Sequence, residues 1–366
     1  MQNILFFIPN IERGGIEKNL IILGNYFSKK NYKIEIICSK ISKEVKSKIN
    51  KKISIIKCKD YIKLPYIPDR ILNSINTFIY FLIFYSSKNK QVILSMQDHP
   101  FSIIAAKLKN IPCIIRIANH PVSSLKFYNN YLIFLIKINI KKLFYFFASG
   151  IICNSRSSQI YFKNLFKNKK IIHIFNPIKI NLKKNKNKKL TNDIISVGRL
   201  QNQKNFYGLI EAFYIVLQKF PKKKLILIGS GNEKKKLNKL SKNLKIFNKI
   251  KIIKYQNPEK LIKSSKIFVL NSLWEGLPNI LIETQMLKTP IIATNCESGP
   301  KEILMNGKIG YLTPVNNSKK LALKIINIFK NYKQAQYKAN LALKYLKRFD
   351  LNAQCKKYEN FLKNFN

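Results

Sequence analysis

The 366-residue chain predicts an α/β protein built from two doubly wound domains, and three observations carry that reading. Short apolar runs alternate with amphipathic stretches in both halves, the pattern of parallel sheets covered by helices. The alternation breaks once, over 179–192, a Lys- and Asn-rich segment poor in core formers that reads as an interdomain linker. With 46% hydrophobic residues the chain is long enough for two ordinary cores, whereas one domain of this length would be unusually large.

In the first half, the runs 4–8, 33–38, 53–56, 92–95, 112–117, 150–153 and 171–175 read as buried strands. The second series comprises 194–197, 224–228, 250–253, 267–270, 290–293 and 310–312. Sheets of this kind bind ligands at the carboxyl ends of their strands. The tail, 337–365, reads as helix with a break near Phe349-Asp350. The first nine residues carry no basic leader and end their apolar run too early for a secretory signal, so they read as the first strand. Six cysteines without a C-x-x-C pair or a histidine cluster suggest neither a disulfide framework nor a zinc site, and a reducing cytosol is the expected compartment.

Charge is the unusual feature, with 68 Lys+Arg against 17 Asp+Glu giving a net +51. Nucleic acid, an anionic membrane and coding bias compete to explain it. Lysine far exceeds arginine and travels with isoleucine and asparagine, the mark of an A/T-rich coding sequence. No helix-turn-helix, finger or aromatic RNA-binding signature accompanies the charge, and no nucleic-acid partner is expected. Two segments are strongly apolar. Over 71–87 the oily centre spans only 78–85, short for a membrane span. In 127–147, Lys126, Lys137 and Lys141 fall on one stripe at the helical period, with Lys142 beside them. An in-plane helix on an anionic leaflet, gaining roughly 1 kcal/mol per surface lysine, fits this pattern. A core helix with its lysines on the wet face fits it too.

The most informative motif is Trp274-Glu275-Gly276-Leu277-Pro278-Asn279-Ile280-Leu281-Ile282-Glu283, a strand-to-helix corner with a carboxylate on either side of the turn. Pro278 suits the first helical position, the helix begins near Asn279, and the cap position falls on Leu277, which has no side-chain acceptor for the first-turn amides. A bound diphosphate would satisfy those donors. A second element, 195–205, ends a strand in Gly198 and continues through Arg199, able to fork onto phosphate oxygens, and Lys204, a compact charge. In the third, Gly229-Ser230-Gly231 follows a strand, but Lys234 stands where a dinucleotide fingerprint needs glycine, so Gly229 reads as a close-approach turn. The fourth is Gly14-Gly15 beyond the first strand, where Gly15 lets backbone come close to a ligand; a plain tight turn is the alternative.

Together these stretches resemble the retaining nucleotide-sugar glycosyltransferases of family four, which have the GT-B fold. The similarity runs through 255–258, 269–272, the 275–283 corner and 290–303, including Ser298-Gly299-Pro300-Lys301-Glu302-Ile303. It implies two Rossmann-like domains facing across a cleft: 1–178 for the acceptor, rejoined by a C-terminal helix at about 350–366, then the linker 179–192, and 193–349 for the donor. It also implies that Glu283 holds the ribose hydroxyls, that Glu275 sits near the transferred sugar, and that Arg199 and Lys204 neutralise the diphosphate. Tyr255 would border the base, with Gly276, Leu277, Pro278 and Asn279 lining the donor. Carboxylates accept well from vicinal hydroxyls, and cations beside a leaving diphosphate stabilise charge as it develops.

The acceptor half matches less closely. His120, in Arg116-Ile117-Ala118-Asn119-His120-Pro121, either orients or deprotonates the acceptor hydroxyl or is a polar loop residue. His99 reads as a loop residue and His173 as a core histidine. No Asp-x-Asp motif is present, so neither a metal nor a resident cofactor is expected. The resemblance points to a nucleotide-diphosphate sugar donor, uridine-linked, and a glycan or glycolipid acceptor. The setting it implies is surface-polysaccharide, lipopolysaccharide or lipid-linked oligosaccharide assembly, in the cytoplasm at the cytosolic membrane face. A nucleotide-sugar epimerase on the same fold and a non-catalytic basic module for membrane or nucleic acid are the rival readings.

Overall fold

The computed structural model describes residues 3–365 apart from 13, 31, 63, 89, 124–130, 183–189 and 191. It divides into two compact units, Met1–Ile178 with Phe349–Asn366, and Lys179–Arg348.

The first unit holds seven parallel strands: β1 (Asn3–Phe7), β2 (Lys33–Cys38), β3 (Ser54–Lys57), β4 (Gln91–Ser95), β5 (Cys113–Ile117), β6 (Gly150–Cys153) and β7 (Lys170–His173), in the order β3-β2-β1-β4-β5-β6-β7. These are near-continuous Ile, Leu, Val and Phe runs because both faces are covered. One face packs against α1 (Gly15–Ser28), around Leu20, Leu23 and Phe27. On the other lie α2 (Asp69–Phe84), α3 (Pro100–Leu108), α4 (Tyr131–Phe147) and α5 (Arg156–Leu165), which bury Phe81, Ile103, Tyr145 and Phe162. The chain returns to this unit at its end. Asp350 caps α11 (Leu351–Leu362) by accepting from the Ala353 amide at 2.9 Å, and Cys355, Tyr358 and Leu362 enter the core beside Ile114 and Ile152.

The second unit holds six parallel strands: β8 (Asn192–Val197), β9 (Leu225–Ile228), β10 (Ile250–Ile253), β11 (Ser265–Leu270), β12 (Ile291–Thr294) and β13 (Tyr311–Thr313), in the order β10-β9-β8-β11-β12-β13. Its longer helices are α6 (Phe206–Lys219), α7 (Lys234–Asn243), α8 (Asn279–Met286), α9 (Ser318–Lys330) and α10 (Tyr332–Ala342). Strand order reverses beside β1 in the first sheet and beside β8 in the second, so each unit has a topological switch point at the carboxyl ends of its strands. The strand assignments from sequence agree to within about one residue at most ends.

Three expectations need correction or bounding. The linker ends sooner than 192, because Asn192 already begins β8, and 183–189 and 191 lie outside the described residues. Lys126 also lies outside them. The lysines of α4 are not its wet face: Lys137, Lys141 and Lys142 are half-buried, and Lys141 donates to Asp98 at 3.2 Å. The outward stripe is instead Leu132, Ile136, Ile140, Leu143 and Phe146, with Leu132 at 64% and Phe146 at 63% exposure. Sequence periodicity locates a stripe but does not say which side meets the sheet. Among the described residues no helix is long and apolar enough to cross a membrane.

Candidate functional site

At the carboxyl edge of the second sheet, the loops after β8 and β9 are zipped backbone to backbone. Gly198 N–H donates to the Ile228 carbonyl at 3.0 Å, Leu200 N–H to Ser230 at 2.9 Å, and Glu233 N–H back to Leu200 at 3.1 Å. That contact sets the glycine requirement. A Cβ on Gly229 would lie 1.9 Å from the Gly198 carbonyl oxygen, and one on Gly231, at φ +158°, 2.3 Å from that of Leu200. The close approach Gly229 makes is thus to the chain itself.

Beyond Gly198, a short 3-10 turn over Asn202–Lys204 brings the chain back across the strand ends. Asn205 adopts the left-handed region at φ 45° and caps α6, accepting from the Gly208 amide at 3.1 Å. The turn is stitched to the loop after the neighbouring strand β11: Leu273 N–H donates to Gln203 at 2.8 Å, Gln203 Nε2 to the Trp274 carbonyl at 2.9 Å, and Asn271 Nδ2 to the Asn205 carbonyl at 2.9 Å. This lays the Lys204 stem along Gly198, where a Cβ would meet Lys204 Cγ at 3.1 Å. Lys204 Nζ reaches Glu275 Oε1, which also accepts from Ser272 Oγ at 2.6 Å. The pair is deeply seated, with side chains 15% and 7% exposed. It sits at the switch point, where β8 and β11 adjoin.

The corner after β11 is supported from β12. Thr294 Oγ1 and Cys296 Sγ donate to the Ser272 carbonyl at 2.6 and 3.2 Å, and Ser298 Oγ donates to Gly276 at 3.0 Å. Burial pushes the Cys296 thiol up to about 12, so it acts as a neutral donor here. Gly299, at φ +87°, has its Cβ position 2.0 Å from the Gly276 carbonyl oxygen, so no other residue fits beneath the corner. Helix α8 starts at Asn279 as expected, but Pro278 rather than Leu277 occupies the cap, in extended conformation and with no side-chain hydrogen bond to the first turn. The shift is one residue, and a proline cap, like a leucine, offers no acceptor.

The structure thus brings Lys204 and Glu275 into direct contact. Arg199 is exposed two residues past β8, Tyr255 is 44% exposed just past β10, and Glu283 is half-buried within α8, all in the second unit. In the first unit, Gly15 begins α1 with open space where its side chain would be. His120 is buried at 9% exposure, its ring edge-on to Tyr161 at 5.5 Å. Sequence reasoning missed Ser272, Gln203, Thr294 and Cys296 as braces. Only Asn205 carried a usable signal, an Asn immediately before an amphipathic run.

The family described as "Glycosyl transferases group 1" matches residues 177–344. An uncharacterised glycosyltransferase of Haemophilus influenzae is 31% identical over 320 residues, covering 87% of each chain. One from Methanocaldococcus jannaschii is 36% identical over 209 residues, but the match spans about half of that relative, 51% of its length and 53% of this chain. A Campylobacter jejuni N-acetylgalactosamine-N,N'-diacetylbacillosaminyl-diphospho-undecaprenol 4-alpha-N-acetylgalactosaminyltransferase is 29% identical over 158 residues, 43% of this chain and 42% of its own. Among solved structures, Anabaena HepE in complex with UDP and glucose superposes with TM-score 0.78 over all of both chains at 18% identity, a similarity of GT-B fold.

Proposed function

The chain belongs to the group 1 glycosyl transferases, and from that membership we propose that it is a retaining, metal-independent enzyme moving a sugar from a uridine-linked nucleotide-diphosphate donor onto a lipid-linked or surface-polysaccharide acceptor. The observation that carries this reading is the Lys204–Glu275 pair at the switch point of the second sheet, braced by Ser272 and the β12 loop. A cation and an anion held together there match the two ends of a nucleotide-diphosphate sugar. Lys204, with Arg199, faces the diphosphate and stabilises the negative charge that grows on it as the glycosidic bond breaks. Glu275 accepts hydrogen bonds from the sugar hydroxyls, and Glu283 does the same for the ribose. Tyr255 borders the base, and the α8 N-terminus behind Gly276, Leu277, Pro278 and Asn279 adds its amide dipole to the phosphate site.

In this reading the two cations supply the charge neutralisation, no resident cofactor takes part, and attack comes from the face the leaving phosphate vacates. The Anabaena neighbour's complex with UDP and glucose supports the donor class, and the C. jejuni relative's diphospho-undecaprenol substrate supports a lipid-linked acceptor. Such an acceptor places the enzyme at the cytosolic face of a membrane. The outward stripe of α4, from Leu132 to Phe146, is the surface we assign to that contact, in a chain whose net charge of +51 favours an anionic leaflet. Calorimetric titration of UDP and a panel of UDP-sugars, followed by donor hydrolysis on the same panel, tests the core of the proposal. Binding of UDP, and slow hydrolysis of one sugar above the others, is expected; a protein that binds no nucleotide sugar refutes it.

A further inference from the structure

Ser272 is fully buried, and among the described residues its hydroxyl has one partner, Glu275 Oε1, to which it donates at 2.6 Å. The loop after β11 does not depend on that hydroxyl for its shape. Other groups anchor its backbone. The Ser272 carbonyl accepts from Thr294 Oγ1 at 2.6 Å and from Cys296 Sγ at 3.2 Å, and Leu273 N–H donates to the Gln203 carbonyl at 2.8 Å. The Trp274 carbonyl accepts from Gln203 Nε2 at 2.9 Å and the Gly276 carbonyl from Ser298 Oγ at 3.0 Å. With the backbone tied on both sides of Ser272, what its hydroxyl controls is the carboxylate of Glu275.

That carboxylate is held asymmetrically. Both of its donors, Ser272 Oγ and Lys204 Nζ, land on Oε1. No described residue donates to Oε2, and Oε2 is not among the buried side-chain atoms sealed off without a partner, so it keeps surface that a small group can reach. The terminal torsion of a glutamate is broad and roughly two-fold, so a single flexible tether would let the two oxygens exchange places. Lysine is such a tether, a compact charge on a mobile stem. A buried serine on an anchored backbone is not, and its hydrogen bond fixes which oxygen points away. An acceptor oxygen with no hydrogen of its own takes a group that brings one. The doubly esterified diphosphate of a nucleotide sugar brings none at neutral pH, whereas every sugar hydroxyl does.

We propose that Ser272 is a positioning residue for transfer: by holding Oε1 it aims Oε2 of Glu275 at a hydroxyl of the donor sugar, and it keeps that aim when Lys204 turns to the diphosphate. The role rests on the transferase reading above. Calorimetry on the full chain, with UDP and with whichever of UDP-glucose, UDP-galactose, UDP-N-acetylglucosamine and UDP-N-acetylgalactosamine the wild type binds most tightly, tests it. The readout is the Kd for UDP divided by the Kd for the sugar nucleotide, which isolates what the sugar contributes. Ser272→Ala leaves the backbone anchors untouched and is expected to fold. It should lower the ratio about tenfold, the loss of one aligned hydrogen bond to a charged group. A serine with a structural role alone would weaken both ligands equally; a fall in the ratio of less than about threefold overturns the proposal. In a Glu275→Ala background there is no carboxylate to hold, so adding Ser272→Ala should leave the ratio unchanged to within about twofold, and a larger further fall means the serine acts without Glu275 and also overturns it. Should that background not fold, the first ratio decides alone. A wild type that binds neither UDP nor any of the four sugar nucleotides removes the donor reading and this role with it, whereas a wild type that binds them beside an unmoved Ser272→Ala ratio removes the role and spares the donor reading.

Discussion

Glu275→Gln tests the central pair through two opposed effects. In the free protein Lys204 Nζ and Glu275 Oε1 are in contact with side chains only 15% and 7% exposed, and Ser272 donates to the same oxygen. Two unit charges about 3 Å apart at an effective dielectric near 20 attract by roughly 5 kcal/mol. Removing one member of such a buried pair costs about 3 to 5 kcal/mol, because the remaining charge is left uncompensated. Gln retains one neutral acceptor for Lys204, which puts the loss near the lower figure, about 3 kcal/mol. For a unit the size of Lys179–Arg348, that corresponds to a fall in Tm of roughly 6–12 °C. In the proposed donor site, UDP would bring its own negative charge to Lys204. In the wild type it must compete with Glu275, whereas in E275Q it meets a cation without a counter-ion, so UDP should raise the variant's Tm by more than the wild type's. Transfer should nevertheless collapse if Glu275 holds the sugar as proposed. Differential scanning fluorimetry across a UDP series reads the first two effects and product formation the third. A Tm within about 2 °C of wild type, or equal UDP stabilisation in both proteins, would show that the pair is not a buried ion pair poised for exchange.

The glycines give a contrast within one assay. Gly229→Ala should cost more than about 3 kcal/mol, because its Cβ meets a backbone oxygen at 1.9 Å. Gly15→Ala, at the start of α1 in open space, should fold with a Tm at or slightly above wild type and show its effect only in substrate binding. Acid should weaken the first unit: burial lowers both His99 and His173 to about 4, so stability is full above the unfolded value near 6.5 and falls as pH drops towards 4. The urea midpoint should follow that window, and His99→Gln should flatten it by about 3 kcal/mol between pH 7 and 4; an unchanged slope contradicts the assignment. Flotation with anionic liposomes should be lost in an Ile136→Glu, Leu143→Glu double variant while UDP binding persists, and undiminished flotation rejects the α4 surface.

What the sequence disclosed and what it withheld divide along a physical line. Parallel strands covered on both faces must be apolar throughout, so runs such as 267–270 and 290–293 announced themselves, and with them the doubly wound class. The corner at Glu275–Asn279 was equally visible because its chemistry is local in the chain. The Lys204–Glu275 contact was not, since the two residues are 71 positions apart and meet only through the pairing of β8 with β11. Helix α4 failed for another reason: its lysines share a stripe, but Asp98 on a different loop draws one of them inward and turns the oily side to water.

The return of Phe349–Asn366 to the first unit carries a consequence for biosynthesis. Ribosomes make proteins from the N-terminus, and Met1–Ile178 emerges with a seam that Cys355, Tyr358 and Leu362 will later close. Until then the guanidinium of Arg116, which in the finished molecule donates to Tyr358 at 3.2 Å and to Asn176 at 2.5 Å, lacks its Tyr358 cover. The opening half therefore waits, incomplete, while Lys179–Arg348 is translated, and a helix made after that segment seals a sheet laid down before it.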